Sequence, residues 1–229
     1  MAAESSARAF RPAQQPAAGR RTGTVLKQER AVRTRGQVLD AAAEAFATKG
    51  FPAVTVLDVA ELAGVTKGAV YFHFANKEAL AESVADEFYH QLTVIAETVR
   101  DEDLSPLSAV TELLLRTALA FRDDRTIQAG ARLQIERSLI GADLPLPYQG
   151  YTEAVTAWFK QAKEAGQLPV GTDADVVARV LVAAFFGAQH ISWVLNDRAD
   201  IAERVQEVVD TVVPRPVQTK PKAKAKARA

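Results

Sequence analysis

The sequence contains no cysteine among its 229 residues, which excludes disulfide bridges and thiolate metal sites. Its three histidines, His73, His90 and His190, lie far apart and form no closely spaced pair that could hold a metal ion. The phosphate-binding, dinucleotide-binding and serine-nucleophile motifs of common enzyme classes are also absent. These absences predict a protein that is not an enzyme and that holds neither a metal ion nor another cofactor.

Long hydrophobic runs are missing as well. A membrane-spanning helix needs about 18 or more apolar residues, and the longest apolar stretch here, from 176 to 188, is interrupted by Arg179. The first residues include arginines but no apolar segment typical of a secretory signal. The sequence therefore predicts a cytoplasmic protein that does not bind a membrane.

The formal net charge is +0, but the charges are unevenly distributed along the chain. Residues 1–36 carry eight Lys or Arg and two Glu, and residues 214–229 carry six Lys or Arg and no acidic residue. Residues 37–213 carry 26 Asp or Glu and 14 Lys or Arg, which gives this middle part a net charge of −12. Basic ends on an acidic body are typical of a protein that contacts polyanions through defined parts. We expect residues 1–29 to form a disordered basic arm and residues 214–229 a disordered basic tail.

Helical periodicity runs through most of the remaining sequence, and no strand-type alternation interrupts it. Helix starts are marked by Asn76, by Ser105 followed by Pro106, and by Asp173. The stretch from 173 to 195 is apolar on nearly every side, so we expect both its own core and a partner subunit to cover it. The sequence predicts an all-α fold of about nine helices.

Residues 55–77 read TVLDVAELAGVTKGAVYFHFANK and combine two short helical patterns with a tight turn. Thr55 and Asp58 have the spacing of a capping box, Gly64 suits the left-handed position that ends a helix, and Thr66 can cap a second helix. Two such helices joined by a short turn form a helix-turn-helix, whose second helix enters the DNA major groove. An ordinary helical hairpin is the alternative, but it would not bury all four aromatic residues of 71–74.

The stretch from Thr55 to Leu80, with Arg33 to Arg35 and the first-helix residues up to Phe51, resembles the DNA-binding signature of the TetR family of bacterial repressors. The resemblance implies phosphate contacts, a recognition helix that Gly68 allows close to the groove, and a tyrosine that reaches a phosphate or a thymine methyl group. Arg33 lies in a basic segment expected just before the first helix, which is either a solvated linker or an arm on the DNA backbone. The predicted DNA-binding residues are Arg33, Thr55, Thr66, Lys67, Gly68, Tyr71, His73 and Lys77.

The rest of the chain more narrowly resembles receptors for signalling molecules of the γ-butyrolactone and methylenomycin-furan types. The resemblance rests on residues 120–124, 128–134, 144–148, 164–168 and 182–187. Tyr151 stands where butyrolactone receptors usually place a tryptophan, so the ligand class stays open. For each aromatic residue the alternative is that it only fills a core. The ligand-binding residues that the resemblance implies are Tyr89, Leu114, Phe121, Gln134, Tyr148, Trp158, Phe185 and Gln189.

These patterns predict a helix-turn-helix DNA-binding domain at 30–78 and a ligand-binding and dimerisation domain at 79–213. The expected function is a homodimeric repressor that binds a pseudo-palindromic operator in double-stranded DNA and is released by a small signalling molecule. Alternatives are a repressor of efflux or catabolic genes that senses a drug or metabolite, a DNA-binding protein with a solid core and no ligand, and a helical enzyme with an accidental helix-turn-helix.

Overall fold

The computed structural model describes residues 19–215, and every regular element in that range is helical. The all-α prediction of about nine helices is thereby confirmed for the described residues. The helices are α1 (Gly19–Lys49), α2 (Val56–Leu62), α3 (Lys67–His73), α4 (Lys77–Arg100), α5 (Pro106–Asp123), α6 (Arg125–Ile135), a short 3-10 turn (Arg137–Leu139), α7 (Gln149–Glu164), α8 (Ala174–Asn196) and α9 (Ile201–Val212).

The first helix begins earlier than the sequence indicated. α1 starts at Gly19 rather than near residue 30, so residues 19–29 are helical and the expectation of a disordered arm is wrong for them. Lys, Gln, Glu, Arg and Leu in this segment are good helix formers and continue the helix backwards from its buried part. The rest of the predicted arm, residues 1–18, and residues 216–229 of the predicted tail lie outside the described residues.

The helices surround two hydrophobic cores. The amino-terminal core joins α1, α2, α3 and the first half of α4, and includes Phe46, Val59, Val70 and Phe74. The carboxy-terminal core joins the second half of α4 with α5, α7, α8 and α9, and includes Phe121 and other large side chains. Apolar side chains on one face of each helix are removed from water at both cores, which stabilises the arrangement.

α4 and α6 take part in both cores. α4 contributes Leu80 and Val84 to the amino-terminal core and Phe88 to the carboxy-terminal core. α6 packs against α1 and α4, and the contact with α4 is close at Gly130. A Cβ atom built on Gly130 would lie 2.3 Å from Cβ of Phe88, so only glycine allows this approach. The two helices therefore form a tight crossing between the two cores.

α8 is the helix of residues 19–215 that is long and apolar enough to cross a membrane by composition alone. It packs against α7 and α9, and its buried residues, such as Phe185, face the carboxy-terminal core. Its outer side nevertheless exposes a row of large apolar residues, namely Val176, Val180, Ile191, Val194 and Leu195. An apolar stripe of this size on a packed helix is typical of a surface that another protein copy covers.

Candidate nucleic-acid interface and ligand cavity

The start of α2 is fixed by the capping box that the sequence predicts. The Thr55 hydroxyl accepts a hydrogen bond from the Asp58 backbone N–H (3.2 Å), and the Asp58 carboxylate accepts one from the Thr55 backbone N–H (2.8 Å). Lys49 at the end of α1 donates to the same carboxylate at 2.6 Å. Its hydrogen bonds with Lys49 and Thr55 hold the pKa of Asp58 well below its usual range.

The turn between α2 and α3 satisfies its backbone groups locally. Gly64 has a φ of 64°, a left-handed conformation that favours glycine. The Val65 N–H donates to the Ala60 carbonyl (3.0 Å) and the Gly64 N–H to the Glu61 carbonyl (3.1 Å), which together form a Schellman motif. The Thr66 hydroxyl then accepts a bond from the Ala69 N–H at 3.1 Å and caps α3. The angle between α2 and α3 is therefore determined by short-range hydrogen bonds.

One side of α3 is anchored in the core and the other faces solvent. Val70 and Phe74 are buried, whereas Lys67 and Gly68 are exposed. Tyr71 is 47% exposed and Phe72 is 79% exposed. These exposures leave a protruding helix with a cation, a phenol and a bare aromatic ring on its outer side, as a major-groove helix requires. His73 is only partly exposed, with its ring edge-on to Phe72 at 4.9 Å.

Two of the predicted DNA contacts lie elsewhere than expected. The Lys77 ammonium donates to the Phe51 carbonyl oxygen at 2.9 Å and lies 4.1 Å from the centroid of the Phe51 ring. The Lys77 side chain thus links the start of α4 to the segment between α1 and α2, and it is only partly buried. Arg33 lies exposed within α1 and not before it, because the helix extends back to Gly19. Arg35 lies over the Phe74 ring at 5.0 Å.

A cavity of about 170 Å³, here called the inner chamber, lies between α4, α6, α7 and α8. Its walls are mainly apolar and aromatic, and Tyr89, Gln134 and Tyr148 contribute polar groups. This combination of an apolar body with a few polar groups is typical of a small-molecule site. The other lining residues are Phe88, Leu92, Thr93, Ala96, Arg100, Gly150, Tyr151, Ala154 and Phe186.

A larger and more open cavity of about 560 Å³, the outer chamber, lies between α6 and α8. It shares Gln134, Tyr148, Phe186 and Phe88 with the inner chamber, so these side chains form the partition between the two. The Tyr148 and Phe186 rings lie 4.5 Å apart at this partition. Arg179 and His190 line the outer chamber and Arg100 the inner one, whereas no carboxylate within the described range 19–215 lines either chamber.

Several buried polar atoms around the chambers have no hydrogen-bond partner among residues 19–215. They are the Tyr89 hydroxyl, both amide atoms of Gln134 and the Nε2 atom of Gln189. A buried polar group without a partner costs about 1–3 kcal/mol, so such groups are uncommon unless something else supplies the hydrogen bond. Gln134 and Gln189 are 6% and 3% exposed. Their unpaired atoms indicate where a ligand would be held.

Burial also affects the tyrosines of the cavity. Removal from water, reinforced by the neighbouring Tyr148, raises the pKa of Tyr89 to about 12. Burial likewise raises the pKa of Tyr148, whose backbone has a φ of 66° after the Leu-Pro-Leu-Pro segment. A positive φ is costly for a residue that is not glycine, and such strain is frequent at ligand sites. Both phenols are therefore neutral hydrogen-bond donors at physiological pH.

The structure brings together four of the eight predicted ligand residues, namely Tyr89, Gln134, Tyr148 and Gln189. Leu114, Phe121 and Phe185 do not line either chamber, because they are fully buried in the carboxy-terminal core. Phe121 supports the wall from behind, with its ring 6.1 Å from that of Phe186. Trp158 lines a separate, more polar cavity of about 160 Å³. The expectation for these four side chains is thus corrected.

Other residues of the chambers and of the α3 surface were not among the predicted site residues. Phe186 lines both chambers, whereas its predicted neighbour Phe185 does not, a difference of one helical position. Tyr151 contributes to the inner chamber while its hydroxyl donates to the Thr117 hydroxyl at 3.2 Å. On α3, Phe72 is the most exposed aromatic residue.

Comparison with known proteins gives a family for the amino-terminal core. A family model described as bacterial regulatory proteins of the tetR family matches residues 38–84, which include α2, α3 and the start of α4. Over 190 residues the chain is 35% identical to the A-factor receptor protein of Streptomyces griseus. This match covers 83% of the chain and 66% of that relative, so the chain spans slightly less than two thirds of the relative's length.

Two solved structures extend the similarity to both cores. One is described as the molecular basis for control of antibiotic production by bacterial hormones; it is 50% identical, with a TM-score of 0.75, and covers 80% of this chain and 98% of that one. The other is the crystal structure of a gamma-butyrolactone receptor (ArpA-like protein), at 26% identity and a TM-score of 0.64, covering 79% of this chain and 98% of that one. The shared fold therefore includes the helices that surround the chambers.

Proposed function

The chain belongs to the TetR family of bacterial regulatory proteins, and from that premise we propose that it is a transcriptional repressor controlled by a small signalling molecule. It binds a pseudo-palindromic operator through α3 and acts in the cytoplasm as a homodimer. The effector occupies the two chambers and releases the DNA. The observation that carries this proposal is the group of unpaired polar atoms of Tyr89, Gln134 and Gln189 in a mainly apolar cavity.

The DNA-binding part of the proposal rests on α3. Lys67 supplies a cation, Gly68 carries no side chain that would hold the helix away from the groove, and Tyr71 is exposed beside Lys67. Thr66 caps α3 through its oxygen and keeps its hydroxyl proton free to donate to a phosphate. We include Thr55, exposed at the start of α2, and His73, partly exposed at the end of α3, among the DNA-contacting side chains. One helix contacts few base pairs, so a two-fold dimer is needed for useful specificity.

The homodimer is supported by the outer side of α8. Its exposed apolar row from Val176 to Leu195 would be unfavourable in water and is long enough for a helix-to-helix interface. A two-fold dimer is what adjacent half-sites about 34 Å apart require, since each half-site takes one α3 helix. We place the dimer interface on the outer side of α8 for this reason, together with α9, the helix that packs against it.

The chemical character of the effector follows from the chambers. Their volumes of about 170 Å³ and about 560 Å³ suit a small molecule with an extended apolar part. Gln134 and the two neutral tyrosines can each donate a hydrogen bond as well as accept one, so an effector that carries hydrogen-bond acceptors would satisfy them. Lactone, butenolide and furan-carboxylate groups meet this requirement. The cationic lining without any carboxylate favours a neutral or anionic head over a cationic one.

The proposal is tested by two parallel experiments on the full-length protein. Gel shifts on the DNA upstream of its own gene should show a specific complex that runs as a dimer on one operator. Mass spectrometry of the protein purified from its native host should detect a bound compound with a lactone, butenolide or furan-carboxylate group. Recovery of an unrelated drug or metabolite would favour a repressor of efflux or catabolic genes, and absence of any specific DNA complex would refute the proposal.

A further inference from the structure

Phe51 lies between α1 and α2, and both of its backbone polar groups are bound by the helices that line the chambers. Its N–H donates to the Glu136 carboxylate, just beyond the end of α6, at 2.7 Å. Its carbonyl accepts from the Lys77 ammonium, at the start of α4, at 2.9 Å. Phe51 itself is 4% exposed and stacks on Phe46 with ring centroids 6.0 Å apart. The position of this peptide therefore depends on both α4 and α6.

Arg132 of α6 strengthens the same connection. Its guanidinium donates to the last carbonyl groups of α1, those of Ala47 (3.1 Å), Thr48 (3.0 Å) and Lys49 (3.1 Å). The final carbonyls of a helix have no partner within the helix, so Arg132 caps α1 from a different part of the chain. Its Nε also donates to Glu136 at 3.0 Å, so the two side chains act as one unit.

This unit is closely fitted to the end of α1. Gly50 has a φ of 81°, and a Cβ atom there would lie 2.5 Å from Glu136 Oε1 and 2.6 Å from an Arg132 nitrogen. The Arg132 and Glu136 side chains are only 21% and 17% exposed. Charged groups withdrawn from water in this way form strong and directional hydrogen bonds. Small displacements of α6 must therefore move the end of α1.

The ligand side of α6 lies directly opposite. Gln134 is two residues from both Arg132 and Glu136, which places it on the other face of the helix. Its unpaired amide lines both chambers, while α4 contributes Tyr89, also unpaired, to the inner chamber. A molecule that binds Tyr89 and Gln134 together would connect the same two helices that hold Phe51. The tight crossing at Gly130 and Phe88 leaves them no room to slide independently.

We propose that Lys77, Arg132 and Glu136, together called the Phe51 clamp, are the positioning residues through which effector occupancy alters the placement of the DNA-binding helices. This inference rests on the proposed function and names the route of its regulation. In the unliganded protein the clamp holds the end of α1 and the peptide before α2 in the DNA-binding arrangement. Effector binding at Gln134 and Tyr89 moves the crossed pair α4 and α6 together, and the clamp transmits that movement to the end of α1 and so to α2 and α3.

The first test measures coupling with the intact dimer and a γ-butyrolactone or furan-carboxylic-acid probe that binds the wild type. Operator affinity is determined with and without saturating probe for the wild type, Arg132→Gln and Glu136→Gln. Arg125→Gln is the matched control, because Arg125 also joins α6 to α1, through Glu44 at 3.1 Å, but outside the clamp. The quantity compared is the ratio of operator affinity without probe to operator affinity with saturating probe. We expect this ratio to fall by about tenfold or more in the clamp variants and to stay within about twofold of wild type in the control.

Probe affinity in the absence of DNA is measured for each variant, since a positioning role leaves the chambers intact. Unchanged probe binding with lost coupling supports the clamp. Folded clamp variants that retain the wild-type ratio overturn it, as would equal loss in Arg125→Gln. Arg132→Lys, which keeps the charge but not the forked donors, should restore only part of the ratio.

A second test needs no effector, because coupling between two sites is reciprocal. Operator DNA should change hydrogen exchange of the backbone amides at 131–135 and 85–92 in the wild type and in Arg125→Gln. The same change should be absent in Arg132→Gln, although that variant still binds operator. If operator leaves these amides unaffected in the wild type, the clamp proposal fails even where an effector is known. If no probe releases the wild type but this exchange pattern is found, the proposed effector class fails and the clamp stands.

Discussion

The parts of the molecule around the two cores differ in whether their polar groups have hydrogen-bond partners. In the amino-terminal core, α2, α3 and α4 each begin with a capped backbone, at Thr55, Thr66 and Asn76. In the carboxy-terminal part, the Tyr89 hydroxyl and the Gln134 amide are buried and have no partner within residues 19–215. The first arrangement is complete in the isolated chain, whereas the second lacks hydrogen-bonding groups that a ligand can supply. The DNA-binding part therefore has a geometry fixed by its own hydrogen bonds, whereas the ligand-binding part contains polar groups that a ligand can bind.

The largest expected effect is on stability, and it tests the packing of the amino-terminal core. Phe46 is fully buried in the amino-terminal core, so Phe46→Ala should destabilise the protein by about 3–5 kcal/mol. Phe72→Ala removes a ring that is 79% exposed and should change stability by no more than about 0.5 kcal/mol. Urea unfolding of both variants is the measurement. Similar losses at the two positions would show that α3 is not anchored as described.

A smaller effect is expected on DNA affinity from the exposed side of α3. Lys67→Ala and Tyr71→Ala should each weaken operator binding by about 1–3 kcal/mol while the dimer stays folded. Lys160→Ala, an exposed lysine on α7, is the control and should leave affinity unchanged. Gel-shift titration at constant salt gives the comparison. Wild-type affinity in both α3 variants would remove α3 from the interface.

The unpaired polar groups of the ligand cavity predict that removing one of them does not destabilise the protein. Tyr89→Phe removes a buried hydroxyl without a partner and should leave stability unchanged or raise it by up to about 1 kcal/mol. Tyr151→Phe removes a hydroxyl that donates to Thr117, so it should lower stability by about 1 kcal/mol. Thermal unfolding of the two variants side by side checks the sign. A loss in Tyr89→Phe equal to that in Tyr151→Phe would mean that Tyr89 has a partner within the protein.

The smallest effect concerns alkaline pH. The pKa of Tyr89 is about 12 in the folded protein, above the ordinary value of 10.0, because burial favours the neutral phenol. The contribution of this group to the free energy of unfolding is fully present below pH 10. It is lost as the pH rises from 10 towards 12, because the phenol ionises more readily in the unfolded chain. We expect Tyr89→Phe to lose less stability than the wild type across this window in urea unfolding at stepped pH. Parallel pH curves for the two proteins would contradict the burial of this phenol.

The amino-terminal part could be predicted from the sequence because its determinants are local. The capping box at Thr55 and Asp58, the glycine at 64 and the cap at Thr66 act over three to five residues, and each forms as the spacing indicates. The helix starts at Asn76, Ser105 and Asp173 were predictable for the same reason. The error at the start of α1 arose because residues 19–29 carry helix-forming side chains but little apolar periodicity.

The chambers could be predicted only in part, because they depend on which helix faces meet. The family resemblance implied Gln134, Tyr148 and Tyr89 as ligand-binding residues. That these side chains, from α6, the 144–148 segment and α4, converge on one cavity follows only from the tertiary structure. The choice of Phe185 over Phe186 shows the limit, since both lie in one apolar run and differ only by about 100° of helix rotation. The hydrogen bond of Lys77 to Phe51 could not be predicted from the sequence either, because the two residues are 26 positions apart.

The most direct test of the account is a titration of the preformed protein–operator complex with butyrolactone, butenolide and furan-carboxylic-acid compounds. The account predicts that at least one of them dissociates the wild-type complex. The complex formed by Gln134→Leu, which binds the operator equally well, should require at least about tenfold more of the same compound. Failure of all three classes to release the wild type, or an identical response of Gln134→Leu, would contradict the assignment of the chambers as the effector site.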